Sequence, residues 1–428
     1  VITKLQFPIK KRLFNFLGLV IIIAIAIISF HNLLLPKPPP FITVKLSGWT
    51  GNPLEQKLLK QVIQDFEKQH PQIKVKYEAI ADQYMDVIKT RLIGEAAPDV
   101  FYLDALEAPF LMAQNVLEPL DNYINPKFDI TDIEPNLLKN FTYQNHIYGL
   151  PKDYSTLALF YNQKAFNQVG LTSPPKTWEQ LRSYSQQLTG KLNKYGFGEI
   201  PELARQAYKI TAFGGEIVDK NGYATFANDA GLQGLELVIN QYQKDRSSAQ
   251  KSDVGTNSGS EMFGQNKVAM VIEGNWAIPY LQETFPKLKF STAEIPKINH
   301  KKATMVFTVA YCMNKQAPHK AQAWELISYL TGKEGMKKWT GTGFALPTRR
   351  SVAQQLGYDQ DPLRSPLVAG IDYATPWQLG KYPTAIINNF DNQFISVLLG
   401  GIWSSDRFFT SICNYYPHIN SEAIFRRL

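Results

Sequence analysis

A run of five apolar residues, Val268 to Ile272, stops abruptly at Glu273, Gly274, Asn275 and Trp276. Such a run breaks on a glycine and at once delivers an indole, with a carboxylate and an amide beside it. Comparable sets recur along the chain. Trp49 follows Gly48, Asp104 ends the apolar stretch Val100 to Leu103, and Tyr154 follows Lys152 and Asp153. This mixture suits a polyol ring: a pyranose has an apolar C–H face that lies flat on an indole or phenol, and hydroxyls that donate to carboxylates and amides. Aromatic rings bury a large area and keep a polar tip, while a few placed polar groups set specificity.

Trp276, Trp49, Tyr154, Asp104, Asn275 and Arg349 are therefore the candidate ligand-binding residues. All of them except Asn275 have a plainer alternative. Trp276 could belong to the core, Trp49 could pack on the first helix, and Tyr154 could be a packing residue beside a hinge. Asp104 is equally suited to capping the helix that follows it. Arg349 could offer its fork of donors to a hydroxyl or simply be a solvated surface arginine. Trp377 is a weaker candidate, and Asp99, after Pro98, reads as a structural residue bonded to its own turn.

Other chemistries find little support. No GxSxG elbow is present, and the SGS at Ser258 to Ser260 lies in a polar stretch rather than after a buried strand. There is no phosphate-cradling GxxxxGK[ST]. The six histidines show no metal-ligand spacing, and Cys312 and Cys413 are the only cysteines, so no metal or other cofactor is expected. A glycosidase needs two opposed carboxylates, and no local pattern announces them.

Positioning these groups calls for a sizeable scaffold. At 428 residues and 44% hydrophobic, the chain is long enough for two lobes with separate cores. Five of its eight net positive charges (Lys4, Lys10, Lys11, Arg12 and Lys37) fall within residues 1–40, which hold no acid. The body is thus only mildly basic, without the Lys/Arg stripe of a nucleic-acid binder. The apolar run Leu13 to Phe30 behind Lys10, Lys11 and Arg12 approaches the length of about 20 residues that spans a bilayer. It reads as an export signal or, more simply, an uncleaved anchor, with the basic flank cytoplasmic and the body outside. The prolines at 36 and 38–40 would form a stiff tether.

Beyond the tether, Phe41 to Trp49 alternates like a strand. Leu54, Leu58, Leu59, Val62, Ile63 and Phe66 mark one face of a helix that Pro71 ends, and Ile73 to Ile80 is the next strand. A helix is predicted from Tyr84 to Ile93, a buried strand at Val100 to Leu103, a strand pair over Tyr148 to Asn162 and a helix opening at Thr177. Ser247 to Ser260 reads as a polar, flexible loop. This alternation indicates α/β lobes, in which ligands bind beyond the carboxyl ends of strands, where Trp49, Asp104 and Trp276 fall.

Several segments together resemble the family 1 extracellular solute-binding proteins, the sugar-binding components of ABC importers similar to maltose-binding protein. They are GQNKVAMVIEGNW, the helix ending DFEKQHPQIKV, the APDV of Ala97 to Val100, IYGLP, LFYNQKAFNQVGL followed by PPKTWEQL, AWELISYLTGKEGMKKW and GFALPTRR. The resemblance runs from Phe41 to about Leu399. It implies a bilobal periplasmic-binding-protein fold with two discontinuous α/β lobes joined by a hinge: residues 41–152 plus 304–344, and residues 153–303 plus 345–428. It further implies capture of a sugar, oligosaccharide or glycosylated solute by hinge closure, delivery to permease subunits served by a cytoplasmic ATPase, and a monomer outside the cytoplasmic membrane.

Two features depart from the family pattern. The chain lacks a cysteine for lipidation after the apolar run, and residues 400–428 show no sustained helical period. A membrane-anchored carbohydrate-active enzyme and a sugar-sensing adaptor stay open as alternatives.

Overall fold

The computed structural model describes residues 41–49, 53–219, 222–226, 228–380 and 382–400. The expected anchor and tether, Cys413 and the C-terminal tail lie outside the described residues. Among those described, no helix is long and apolar enough to cross a membrane.

The first strand, β1 (Ile42–Gly48), is followed by helix α1 (Pro53–Gln69) and strand β2 (Ile73–Ala79). The two strands pair in parallel from Ile42 opposite Ile73 to Gly48 opposite Ala79. Helix α1 buries Leu59, Val62, Ile63 and Phe66 against them. Each such side chain contributes roughly 1.5–3 kcal/mol on burial, against at most about 0.7 kcal/mol per residue of helix propensity among ordinary residues. Packing therefore decides that this segment is a helix. Strand β3 (Val100–Asp104) adds to β1 in parallel. Asp99 is structural, although not through its own turn: its carboxylate accepts from the Lys45 backbone N–H at 2.7 Å and ties the strand entrance to β1.

Two long strands carry the sheet from one half of the molecule to the other. The segment predicted as a strand pair is one continuous strand, β4 (Gly149–Asn162). Its first part pairs with a later strand running antiparallel to it, residue 149 opposite Cys312 through Thr156 opposite Val306. A bulge falls there between Val309 and Ala310. It leaves Lys152 out of the ladder between Pro151 and Asp153, and a bulge is where a strand tolerates a proline that cannot donate. The second part of β4 pairs with the Val268–Gly274 strand.

The sheet order, with the later strands named in chain order as β5 (Tyr195–Gly198), β6 (Ser248–Ala249), β7 (Val268–Gly274), β8 (Phe290–Ala293), β9 (Thr304–Met313) and β10 (Ala374–Pro376), is β2-β1-β3-β9-β4-β7-β5-β6, with β8 beside β4 and β10 beside β9. A third link between the halves is the bridge from Tyr154 to Leu346, whose backbones exchange hydrogen bonds of 3.1 and 2.9 Å.

The core divides accordingly. One cluster, including Val44, Leu46, Phe66, Phe101, Leu111 and Leu326, fills the half around β1 and β3. The other half has cores on both faces of its sheet, as the alternation of side chains along a strand requires. Leu157 and Leu159 of β4 point into one with Trp178, Phe197 and Met270, whereas Ala158 and Phe160 point into the other with Met262, Val271 and Ile278. Helix Pro383–Leu398 closes the first of these through Phe390 and Phe394.

Candidate functional site

Trp276 begins a helix, Ala277–Thr284, immediately past the carboxyl end of β7. Gly274 is essential there for a reason other than turning: its backbone is ordinary, but a Cβ would lie 2.2 Å from Cζ3 of the Trp276 ring. The indole thus rests directly on the glycine backbone. Its Nε1 donates to Oε2 of Glu273 at 3.0 Å. The same oxygen accepts from Nη2 of Arg205 at 3.2 Å, and the Arg205 guanidinium lies 4.9 Å from the indole centroid. Glu273 is buried by close packing, since a side chain at Gly259 would meet its Oε1 at 2.3 Å. Nη1 of Arg205 is buried with no hydrogen-bond acceptor among the described residues.

This triad forms part of the wall of an open cleft of about 840 Å³, which Tyr280, Glu202, Lys251, Ser258 and Phe344 also line. Glu55 of α1, from the opposite half of the molecule, reaches the same cleft. The volume lies within the range of small-molecule sites, roughly 300–1,000 Å³. The stretch expected to be a flexible polar loop supplies one side of it. Ser247, Ser248 and Gln250 are buried, and Lys251–Val254 and Gly259–Gly264 are helical. The Ser258 hydroxyl caps the second helix by accepting from Glu261 N–H at 3.1 Å. Behind the indole an aromatic row continues to Phe307 (6.1 Å) and from it to Trp377 (6.2 Å). Trp377 itself is buried.

Of the six candidates, Trp276 alone lines this cleft. Trp49 and Asp104 sit at the carboxyl ends of neighbouring parallel strands on the facing half. Trp49 packs edge-on against Tyr84 and Tyr102, at 5.1 and 5.3 Å. Asp104 accepts from Leu106 N–H at 2.8 Å, holding the turn before the helix Ala108–Ala113. Burial pushes its carboxyl up to about 6.

The other three do not line the cleft. Tyr154 is a core residue, buried with Ala158, Phe160 and Leu346 because β4 runs unbroken past it. Asn275 has no solvent-accessible surface: its Nδ2 donates to the Gly343 carbonyl at 3.1 Å and its backbone N–H to the Ser155 hydroxyl at 3.0 Å. It ties the β7 turn to the hinge rather than to a ligand. Arg349 is buried, neither at the surface nor in the cleft. Its fork is consumed by the carbonyls of Thr331 (2.6 Å), Asp129 (2.8 Å) and Phe128 (2.9 Å), with Asp132 at 3.4 Å.

The hinge holds a further polar cluster. The bulged Lys152 places its ammonium 3.9 Å from the Trp339 ring centroid and pairs with Asp153, whose Oδ2 accepts from Trp339 Nε1 at 2.6 Å. Cys312 is a buried thiol without a disulfide partner among the described residues, and burial pushes it up.

Comparison with known proteins extends this picture. Residues 51–337 match the family described as bacterial extracellular solute-binding protein. A multiple sugar-binding protein of Streptococcus mutans is 22% identical over 386 residues, 86% of this chain and 84% of the relative. An arabinooligosaccharide-binding protein of Bacillus subtilis is 26% identical over 325 residues, 70% of this chain and 72% of the relative. Among solved structures, the sugar-binding protein MalE of Xanthomonas citri superposes with a TM-score of 0.77 at 21% identity, covering 90% of this chain and 100% of its own. An ABC substrate-binding protein of Listeria monocytogenes in complex with cycloalternan gives 0.76 at 20% identity, covering 87% and 97%. The bilobal architecture is thus the one shared by these binding proteins, and the chain belongs to the bacterial extracellular solute-binding protein family.

Proposed function

We propose that this protein is the substrate-binding component of an ABC importer and takes up a sugar or oligosaccharide in the cleft walled by Trp276. One observation carries the reading: an indole is held on the cleft wall by Gly274 behind it and by Glu273 at its Nε1, beside an arginine with an uncommitted donor. A sugar ring in contact with this group meets an apolar surface fixed from behind by the buried carboxylate and the guanidinium, while Glu202, Lys251 and Ser258 on the same cleft offer polar partners for its hydroxyls. That combination serves hydroxyl recognition without a nucleophile or a metal. The relatives named for sugars and oligosaccharides support it.

Two lobes, residues 41–152 plus 304–344 and residues 153 to 303 plus the remainder, would close on the ligand by bending at β4, β9 and the Leu346 link. Trp49 and Asp104 would meet it from the first lobe. A ligand that gains contacts from both lobes only in the closed form draws the equilibrium to that form. The closed monomer would then dock on permease subunits coupled to a cytoplasmic ATPase, outside the cytoplasmic membrane to which residues 1–40 tether it.

A thermal-shift screen of the purified protein against neutral oligosaccharides tests the reading. At least one saccharide raises Tm and is recovered unchanged. Stabilisation by none of them, or conversion of the sugar to products, would overturn it.

A further inference from the structure

At the amino end of β7, opposite the end that bears Trp276, lies a second cavity of about 610 Å³. Seven strand residues separate the two ends, roughly 20 Å at about 3.3 Å per residue. Lys164, Lys194, Lys287 and Lys289 converge on this cavity from three separate stretches of chain, and no acidic residue lines it. None of the four ammonium groups forms an ion pair among the described residues.

The cavity is open to solvent, and its wall is held by specific contacts. Oδ1 of Asn266 accepts from Lys194 Nζ at 2.6 Å and from Asn162 Nδ2 at 2.9 Å, which fixes the lysine against the wall. Phe285 packs so closely on Gly264 that a Cβ there would lie 2.3 Å from its ring. Burial first and the charge of Lys164 second hold the Lys194 ammonium below the usual lysine range. Like charges gathered around a pocket with only neutral acceptors raise one another's energy, and an anion seated among them relieves it.

We propose that this pole of the protein carries a second binding site, separate from the cleft, for an anionic phosphoryl group. Lysine ammoniums act on phosphate as point charges, and Asn162 and Asn266 line the same cavity. Such a group is presented equally by a soluble phosphate ester and by a phospholipid headgroup.

The test uses the full-length protein at low ionic strength, where exposed charges are least screened. Pyrophosphate is titrated into wild type and into Lys194→Gln/Lys289→Gln, with Lys287→Gln/Lys289→Gln, altered only at exposed positions, as the variant least able to disturb folding. Wild type binds, and each double variant loses about tenfold or more in affinity, the equivalent of about 1.4 kcal/mol. General stabilisation by excluded phosphate would raise Tm equally in all three proteins and would overturn the proposal.

Co-sedimentation with vesicles of phosphatidylglycerol, against phosphatidylcholine vesicles, separates the sources. Lysine-dependent binding to the anionic vesicles assigns a headgroup, and lysine-dependent binding of pyrophosphate alone assigns a soluble ester. Lysine-dependent binding to neither overturns the site.

Discussion

The indole nitrogen of Trp276 and the carboxylate of Glu273 are joined by a 3.0 Å hydrogen bond across a single turn of chain. Residues 273 and 276 flank the point where a buried strand becomes a helix, so the strand's rigidity passes directly to the ring. Arg205 completes the unit from a distant helix by pairing with the same carboxylate oxygen at 3.2 Å. An aromatic wall held in this way loses little side-chain entropy when a ligand arrives, which favours affinity.

Gly274→Ala tests the seating of that ring. The added methyl would lie 2.2 Å from the indole, and such overpacking costs about 1–3 kcal/mol. Denaturant unfolding is expected to show a loss in that range, with altered tryptophan fluorescence and weaker saccharide binding. Wild-type stability together with wild-type affinity would show that the ring does not rest on the glycine.

Arg349→Met separates structure from recognition. The substitution strips the donors from the Phe128, Asp129 and Thr331 carbonyls and the partner from Asp132. Breaking a buried charged network by removing one partner costs about 3–5 kcal/mol. The variant is expected to be strongly destabilised in urea, while its folded fraction binds saccharide within about twofold of wild type, a change of roughly 0.4 kcal/mol. Lost binding without lost stability would return Arg349 to the ligand site.

Asp104 gives a dependence on pH. Its carboxyl, pushed up to about 6 by burial, lies above the unfolded aspartate value of about 3.9, so the native state holds the proton more tightly than the unfolded chain. This residue's contribution therefore declines as pH rises from about 4 to about 6. Asp104→Asn keeps an acceptor for Leu106 N–H and removes the charge. Relative to wild type, the variant should gain on the order of 1–3 kcal/mol between pH 4 and pH 7, measured by urea unfolding across that range. A difference independent of pH would contradict the assignment.

How far the site could be read in advance depended on where each residue's partners lie. The Trp276 platform was legible because its determinants are consecutive: an apolar run, then Glu273, Gly274, Asn275 and Trp276. The regular elements of the first half were legible for a similar reason, since their apolar period declares which face is buried. Arg205 was not, because Glu273 is 68 positions away and an arginine inside a helical pattern shows nothing of what it faces. Arg349 misled in the opposite direction: the carbonyls of Phe128 and Asp129 that consume it are 221 and 220 positions distant. For Tyr154 the sequence left ligand contact and packing both open, and a bulge at Lys152, which lets β4 continue as one strand, carries the tyrosine into the core.

The central claim is that Trp276 belongs to a saccharide site, and calorimetric titration of wild type and Trp276→Ala with the best-stabilising oligosaccharide tests it most directly. Aromatic anchors of this kind dominate binding energy where they occur. The variant should keep its circular dichroism spectrum and lose about a hundredfold in affinity, or roughly 2.8 kcal/mol. An affinity equal to that of wild type would place Trp276 outside the binding site and contradict the account.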